Sequence, residues 1–271
     1  LFTHPLLLWS DNVKKTPTLS RPYNNLGAVY WNLGLFEKAY KFYLIAEKLD
    51  AQSSFRNRGI GSYNLGTYHL YVTGNYDKAL NYFESAIIEY PGYWPAYRSI
   101  AECLIRKGNL TDAGKRTVDA LKIWPKDADL RFILSFILLK TGAYDHAMKQ
   151  AKRALSFNPD LGKAYAVLGE SCRKTGKNAL AIFYWNEYLK KNPQDIEANL
   201  ALLELYARQN RKFDLSRTVG KLMYLKDSKS WCEFLDQFLK EKNLAVYRPN
   251  IDDIISIVRN HFDDQFCRSM K

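Results

Sequence analysis

The residues that catalysis needs are what this chain most lacks. Its four cysteines, Cys103, Cys172, Cys232 and Cys267, form no Cys-x-x-Cys pair, which excludes a zinc ribbon or a thioredoxin-like site. The four histidines, His4, His69, His146 and His261, are scattered, and none has a partner four residues away to share a metal. Gly59-Ile60-Gly61 begins like a dinucleotide loop, but the next glycine falls at Gly66 and no strand precedes it. No apolar run approaches the ~18–20 residues that cross a bilayer. The chain is therefore expected to be non-enzymatic, with no catalytic residue, metal or cofactor. So few cysteines leave the redox compartment open.

What is present is a period. Pro91, Pro125, Pro159 and Pro193 stand 34 residues apart. Ala79, Ala113, Ala147 and Ala181 keep the same interval. So do the sets Phe83/Ala86, Thr117/Ala120, Ala151/Ala154 and Trp185/Tyr188. Leu65-Gly66, Ile100-Ala101, Leu134-Ser135 and Leu168-Gly169 lie upstream, and Gly74, Gly108, Gly142 and Gly176 separate the two apolar runs of each unit. Apolar residues recur at i, i+3, i+4 and i+7, so each run is an amphipathic helix. The glycine ends the first helix in the left-handed conformation, and the proline stops the second. Each unit is an antiparallel helical hairpin whose uncovered apolar face only a neighbouring unit can bury. An apolar fraction of 47% and an aromatic fraction of 14% suit that continuous seam and argue against disorder.

These residues resemble the tetratricopeptide repeat, with its W-x2-L-G-x2-Y, A, F/Y, A and P pattern. The fullest match runs from Tyr23 through Leu26-Gly27 and Tyr30 to Gly34, Phe36, Ala39, Tyr43 and Ala46. The resemblance implies an all-α, right-handed superhelix of about six hairpins, at 20–53, 59–93, 94–127, 128–161, 162–195 and 196–228. Residues 1–19 are expected to pack on the first repeat, and 229–271 to cap the last. Three departures stand out. Ala51 replaces the first proline, and five extra residues (54–58) predict a looser joint. The second repeat carries one extra residue before Gly74. The bulky Trp185 and Tyr188 must either wedge repeats apart or fill a space beside small neighbours. The sixth unit is the weakest, with Leu203, Asn210 and Leu215 at the small-residue and glycine positions.

The ends carry less. Leu1 rather than methionine stands first, which reads as a fragment or a processed product. The apolar stretch to Trp9 lacks the basic leader and cleavage site of a signal peptide; it is expected to pack on the first repeat, with a membrane-proximal role as the alternative. Trp9 to Gly27 also resembles the start of the repeat tail in bacterial membrane proteins similar to lipid-linked-sugar glycosyltransferases. That likeness implies a domain cut from a membrane protein, facing outside the cytoplasm and attached through a segment before residue 1; a free-standing chain would be cytoplasmic. At the other end, Trp231 to Leu239 and Ile251 to Phe262 form two amphipathic runs.

A formal charge of +12 permits an acidic partner, a membrane or nucleic acid. Lys115-Arg116, Lys152-Arg153 and Lys190-Lys191 fall on second helices and are spread over successive repeats. The expectation is a solvated outer face without nucleic-acid binding. Function is sought instead in the groove that first helices line in this family. By their offset from each Leu-Gly pair, its candidates are Asn24, Asn25, Trp31, Tyr63, Asn64, Tyr71, Arg98, Glu102, Arg106, Phe132, Phe136 and Arg173. Amides can pair with a peptide backbone, rings can bury side chains, and exposed arginines can take carboxylates. The implied partner is a protein or peptide, with an acidic one favoured by Arg98 and Arg106; the oligomeric state is open. The carboxylate clamp of some family members is not matched, since Asn24 and Ala28 stand where lysine and asparagine belong.

Overall fold

The computed structural model describes residues 4–52 and 59–224, and they contain helices and turns with no strand. The all-α expectation holds. The segments at 54–58 and 229–271, for which a loose joint and a cap were expected, lie outside the described residues. Two compact units divide the chain, residues 1–142 and residues 143–271. In the first, α1 (Pro5–Lys15) leads to α2 (Ser20–Asn32) and α3 (Phe36–Gln52). There follow α4 (Ile60–Tyr68), a π-helical segment (His69–Thr73), α5 (Tyr76–Glu89), α6 (Trp94–Arg106), α7 (Leu110–Ile123) and α8 (Ala128–Lys140). The second holds α9 (Tyr144–Phe157), α10 (Gly162–Lys174), α11 (Asn178–Lys191), α12 (Ile196–Arg208) and α13 (Lys212–Tyr224). Within each unit every helix packs on the next in sequence. First helices of neighbouring hairpins also touch, α2 on α4 and α6 on α8.

The small residues act where the two helices of a hairpin meet. A Cβ built on Gly27 would stand 2.4 Å from the Tyr43 ring, and one on Gly66 would stand 2.7 Å from Phe83. In α10 and α11 the same relation pairs Gly169 with Trp185, at 2.9 Å. Trp185 thus fills space left by its small neighbour rather than wedging helices apart. Tyr188 finds a polar outlet, its hydroxyl donating to Asp195 Oδ2 at 2.7 Å. Ala79, Ala113, Ala147 and Ala181 are fully buried.

Each turn between first and second helix reverses through a left-handed residue. Gly34, Gly74, Gly108, Gly142 and Gly176 have φ between +64° and +82°, and Asn210 replaces them in the last hairpin with φ +54°. Asparagine tolerates this region better than other non-glycine residues. The amide after the turn residue bonds back five residues: Leu35 to Tyr30, Asn109 to Leu104, Lys177 to Cys172 and Arg211 to Tyr206. That is the Schellman closure. In the second hairpin the bond spans six, from the Asn75 N–H to the His69 carbonyl. The extra residue of that repeat is absorbed by the π-helical segment, a common outcome of a one-residue insertion in a helix.

A second regularity ties four of the turns that precede a first helix to that helix. Tyr23, Tyr97, Arg131 and Asn199 donate side-chain hydrogen bonds to the carbonyls of Pro17, Pro91, Pro125 and Pro193, each six residues back. Proline leaves its own carbonyl exposed at a helix end, and a long polar side chain one turn into the next helix satisfies it. At the N-terminus His4 caps α1, its Nδ1 accepting from the Leu6 amide at 3.3 Å, and α1 packs along α2.

Candidate protein-binding groove

The groove candidates of the first unit all lie on first helices or on the π segment, where they meet in three groups. The first joins α2 to α4: Asn64 Nδ2 donates to Asn24 Oδ1 at 3.2 Å. Asn24 is only 3% exposed, and its own Nδ2 has no hydrogen-bond partner. Asn25 and Trp31 are half-buried nearby on α2, the indole meeting Phe36 edge-on at 5.0 Å.

The second group centres on Tyr71, whose hydroxyl donates to Glu102 Oε2 at 2.8 Å. The other Glu102 oxygen receives Arg106 Nε at 3.0 Å, and the Arg106 guanidinium lies 5.4 Å from the Tyr71 ring centre. Burial, with help from the Glu102 hydrogen bond, raises the Tyr71 pKa, and the bond to Glu102 raises that of Arg106. Tyr71 therefore stays neutral and Arg106 cationic at neutral pH. Tyr63 is a packing ring, held against Phe83 and Tyr93 at 5.5 and 5.2 Å.

Arg98 forms the third group. It pairs with Asp127 at 2.6 Å and with Asp129, and it stacks on Trp94 with 4.1 Å to the ring centre. Sequence reasoning places Arg98 in the open; in the structure it is half-buried and held by two carboxylates that the offset rule did not select. Phe132 and Phe136 are half-buried on α8 with ring centres 6.5 Å apart, and Lys140 lies over Phe136 at 5.3 Å.

The comparisons with known proteins agree with the hairpin geometry. Two family models described as tetratricopeptide repeat match residues 20–53 and 73–117. The chain carries tetratricopeptide repeats over those residues. It is 27% identical over 185 residues to human protein O-mannosyl-transferase TMTC1, covering 66% of this chain and 20% of that protein. It is 22% identical to the TPR repeat-containing protein YpiA of Bacillus subtilis, covering 68% of this chain and 42% of that one. It thus spans about a fifth and about two fifths of these relatives. Among solved structures, the Cut9–Hcn1 assembly of the APC/C superposes with a TM-score of 0.72 over 88% of this chain and 45% of that one, at 16% identity. YrrB, described as a tetratricopeptide-repeat protein with an unusual peptide-binding site, superposes at 0.52 over 70% and 95%, at 18% identity. Both establish likeness of fold. Repeats of this family serve in general as non-catalytic scaffolds for protein interaction.

In the second unit's repeats Arg173 is held as firmly as Arg98. It pairs with Glu170 on its own helix at 2.6 Å and with Glu204 of α12 at 3.1 Å. Its pKa is raised by the Glu170 hydrogen bond first, with Glu204 adding to it. Glu204, 6% exposed, also receives Arg208 at 3.2 Å. Glu204 was not a candidate, yet a sequence signal for it exists: Glu102, Glu170 and Glu204 occupy one position of the 34-residue repeat, immediately after Ile100-Ala101, Leu168-Gly169 and Leu202-Leu203. Each of these glutamates holds an arginine.

The remaining motifs resolve into structure. Cys103 and Cys172 are buried free thiols, and burial pushes Cys103 up to about 12. Asn109, which begins a glycosylation sequon, accepts from the Asp112 amide at 3.2 Å and starts α7. Among the described residues no group of three or more potential ligands could hold a metal, and no helix is long and apolar enough to cross a membrane.

Proposed function

We propose that the first unit binds an extended protein or peptide segment along the face formed by α2, α4, α6 and α8. The observation that carries this reading is the Asn24–Asn64 pair. A buried amide donor left without a partner is costly, and the neighbouring Asn64, half-buried beside it, can offer its own amide to a peptide carbonyl laid across the pair. Tyr71 and the half-buried Trp31, Phe132 and Phe136 offer ring surface for the segment's side chains. The arginines are engaged inside the chain, so the affinity need not come from ligand carboxylates. Capture of partners from lysate by the wild type and by Asn25→Ala/Asn64→Ala protein tests this. Loss of the partners with an unchanged helical spectrum is expected; an identical partner profile would sink the groove assignment.

The match to the human transferase supports a second reading, in which these repeats form an accessory or oligomerising domain of a longer membrane-bound glycosyltransferase. Transmembrane sequence before residue 1 in the full-length gene would support it, and a free-standing reading frame would remove it.

A further inference from the structure

The outer layer of the second unit differs in character from the groove. α10 packs on both α9 and α11, and α12 on both α11 and α13. The second helices α9, α11 and α13 therefore form one layer with a common outward side. Their inward residues are the buried ones: Ala147, Ala151 and Ala154; Ala181 and Trp185; Leu215, Val219 and Leu222. Helical geometry then turns Lys149 and Arg153 outward on α9, Leu180 and Phe183 on α11, and Phe213, Arg217 and Lys221 on α13.

Two properties of that side are unusual together. Residues 143–224 carry fourteen lysines and arginines against eight aspartates and glutamates. The outward carboxylates Asp145 and Glu187 are taken up by Lys177 and Lys190, and Asp214 by Arg211. Lys149, Lys152, Arg153, Arg217 and Lys221 form no ion pair among the described residues. Between these cations stand large apolar side chains, Leu180 at 47%, Phe183 at 54% and Phe213 at 79% exposure. A merely solvated face gains nothing from exposed phenylalanines, and a phosphate backbone gains little from them. An anionic bilayer surface takes both, since headgroups pair with the cations while rings enter the acyl boundary.

We propose that the outer face of α9, α11 and α13 is a peripheral docking surface for anionic phospholipid membranes. It is separate from the groove face of the first unit and does not depend on a transmembrane anchor. The experiment is flotation of the full chain with vesicles of phosphatidylcholine alone or mixed with phosphatidylserine, at low and physiological salt. Binding to the mixed vesicles only, weakened by salt, is expected. Lys149→Ala/Arg153→Ala/Arg217→Ala should lower the partition coefficient about 100-fold, at roughly fivefold per cation. Phe183→Ser/Phe213→Ser should weaken vesicle binding while the helical spectrum stays unchanged. No flotation with phosphatidylserine at low salt would overturn the proposal, as would equal binding by the triple variant. So would tight binding of single-stranded RNA that ignores Phe183 and Phe213 while vesicles go unbound. If the triple variant misfolds, Lys152→Ala/Lys221→Ala must show the same direction of loss, or the proposal fails.

Discussion

The indole of Trp185 lies against the backbone at Gly169, so close that an added Cβ would stand 2.9 Å from the ring. The ring is buried and cannot swing into solvent. Gly169→Val should therefore destabilise the second unit by about 1–3 kcal/mol, the usual cost of overpacking. Chemical denaturation reads it directly. Pairing the change with Trp185→Leu should recover part of the loss, and full additivity of the two changes would contradict a contact between these positions.

The turn residues make a paired prediction. Gly108 has φ +82° with nothing within 4 Å of where a Cβ would sit. Gly108→Ala thus carries only backbone strain, about 1–2 kcal/mol. Asn210 already pays a smaller cost at φ +54°. Asn210→Gly should be neutral or stabilising by under about 1 kcal/mol, whereas Asn210→Val should destabilise. Thermal melts of the three variants check the order.

His69 predicts a pH dependence. It is buried in the π segment, stacked on Tyr82 at 5.6 Å and flanked edge-on by Tyr40 and Tyr68, with Thr73 Oγ1 at 3.2 Å from Nδ1. Burial, and then the positive charge of Lys78, lower its pKa in the folded chain. The unfolded value is near ~6.5. Folding therefore favours the neutral ring: its stability contribution is whole above that value and is lost as pH falls through the lower folded pKa. Melting temperature measured from pH 7.5 downward should drop more in wild type than in His69→Phe. Parallel curves would remove His69 as the cause.

Arg173 and Glu204 test a buried charge pair. Arg173→Ala leaves Glu204 with Arg208 alone and should cost about 3 kcal/mol, much of it the penalty of an under-compensated buried carboxylate. Arg173→Met/Glu204→Leu should cost markedly less than the single change. A double variant as unstable as the single one would argue against that account.

Much of the fold was legible in the chain because its determinants are local. Glycine at the left-handed turn, alanine at the helix crossings and proline after the second helix each act within a few residues, so a 34-residue spacing exposes them. The π segment was half legible: the surplus residue before Gly74 could be counted, but not whether helix or turn would absorb it. The groove was less so. Offsets selected Asn24 and Asn64, and Tyr71, Glu102 and Arg106, which the fold brings into mutual contact, yet Arg98 and Arg173 proved to be held by Asp127, Asp129 and Glu204. Whether a cation is free or spent depends on partners about thirty residues away in sequence.

The period alone determined that the chain is a series of helical hairpins, since a repeated amphipathic pair has no other way to bury its apolar face. Only the tertiary structure decided which side chains are engaged within the chain and which are left exposed. Packing brings Glu204 onto Arg173 and Glu102 onto Tyr71, while it leaves Asn24 Nδ2 without a hydrogen-bond partner and Phe183 and Phe213 in the open. Those outcomes rest on distances between helices, which a one-dimensional spacing does not contain.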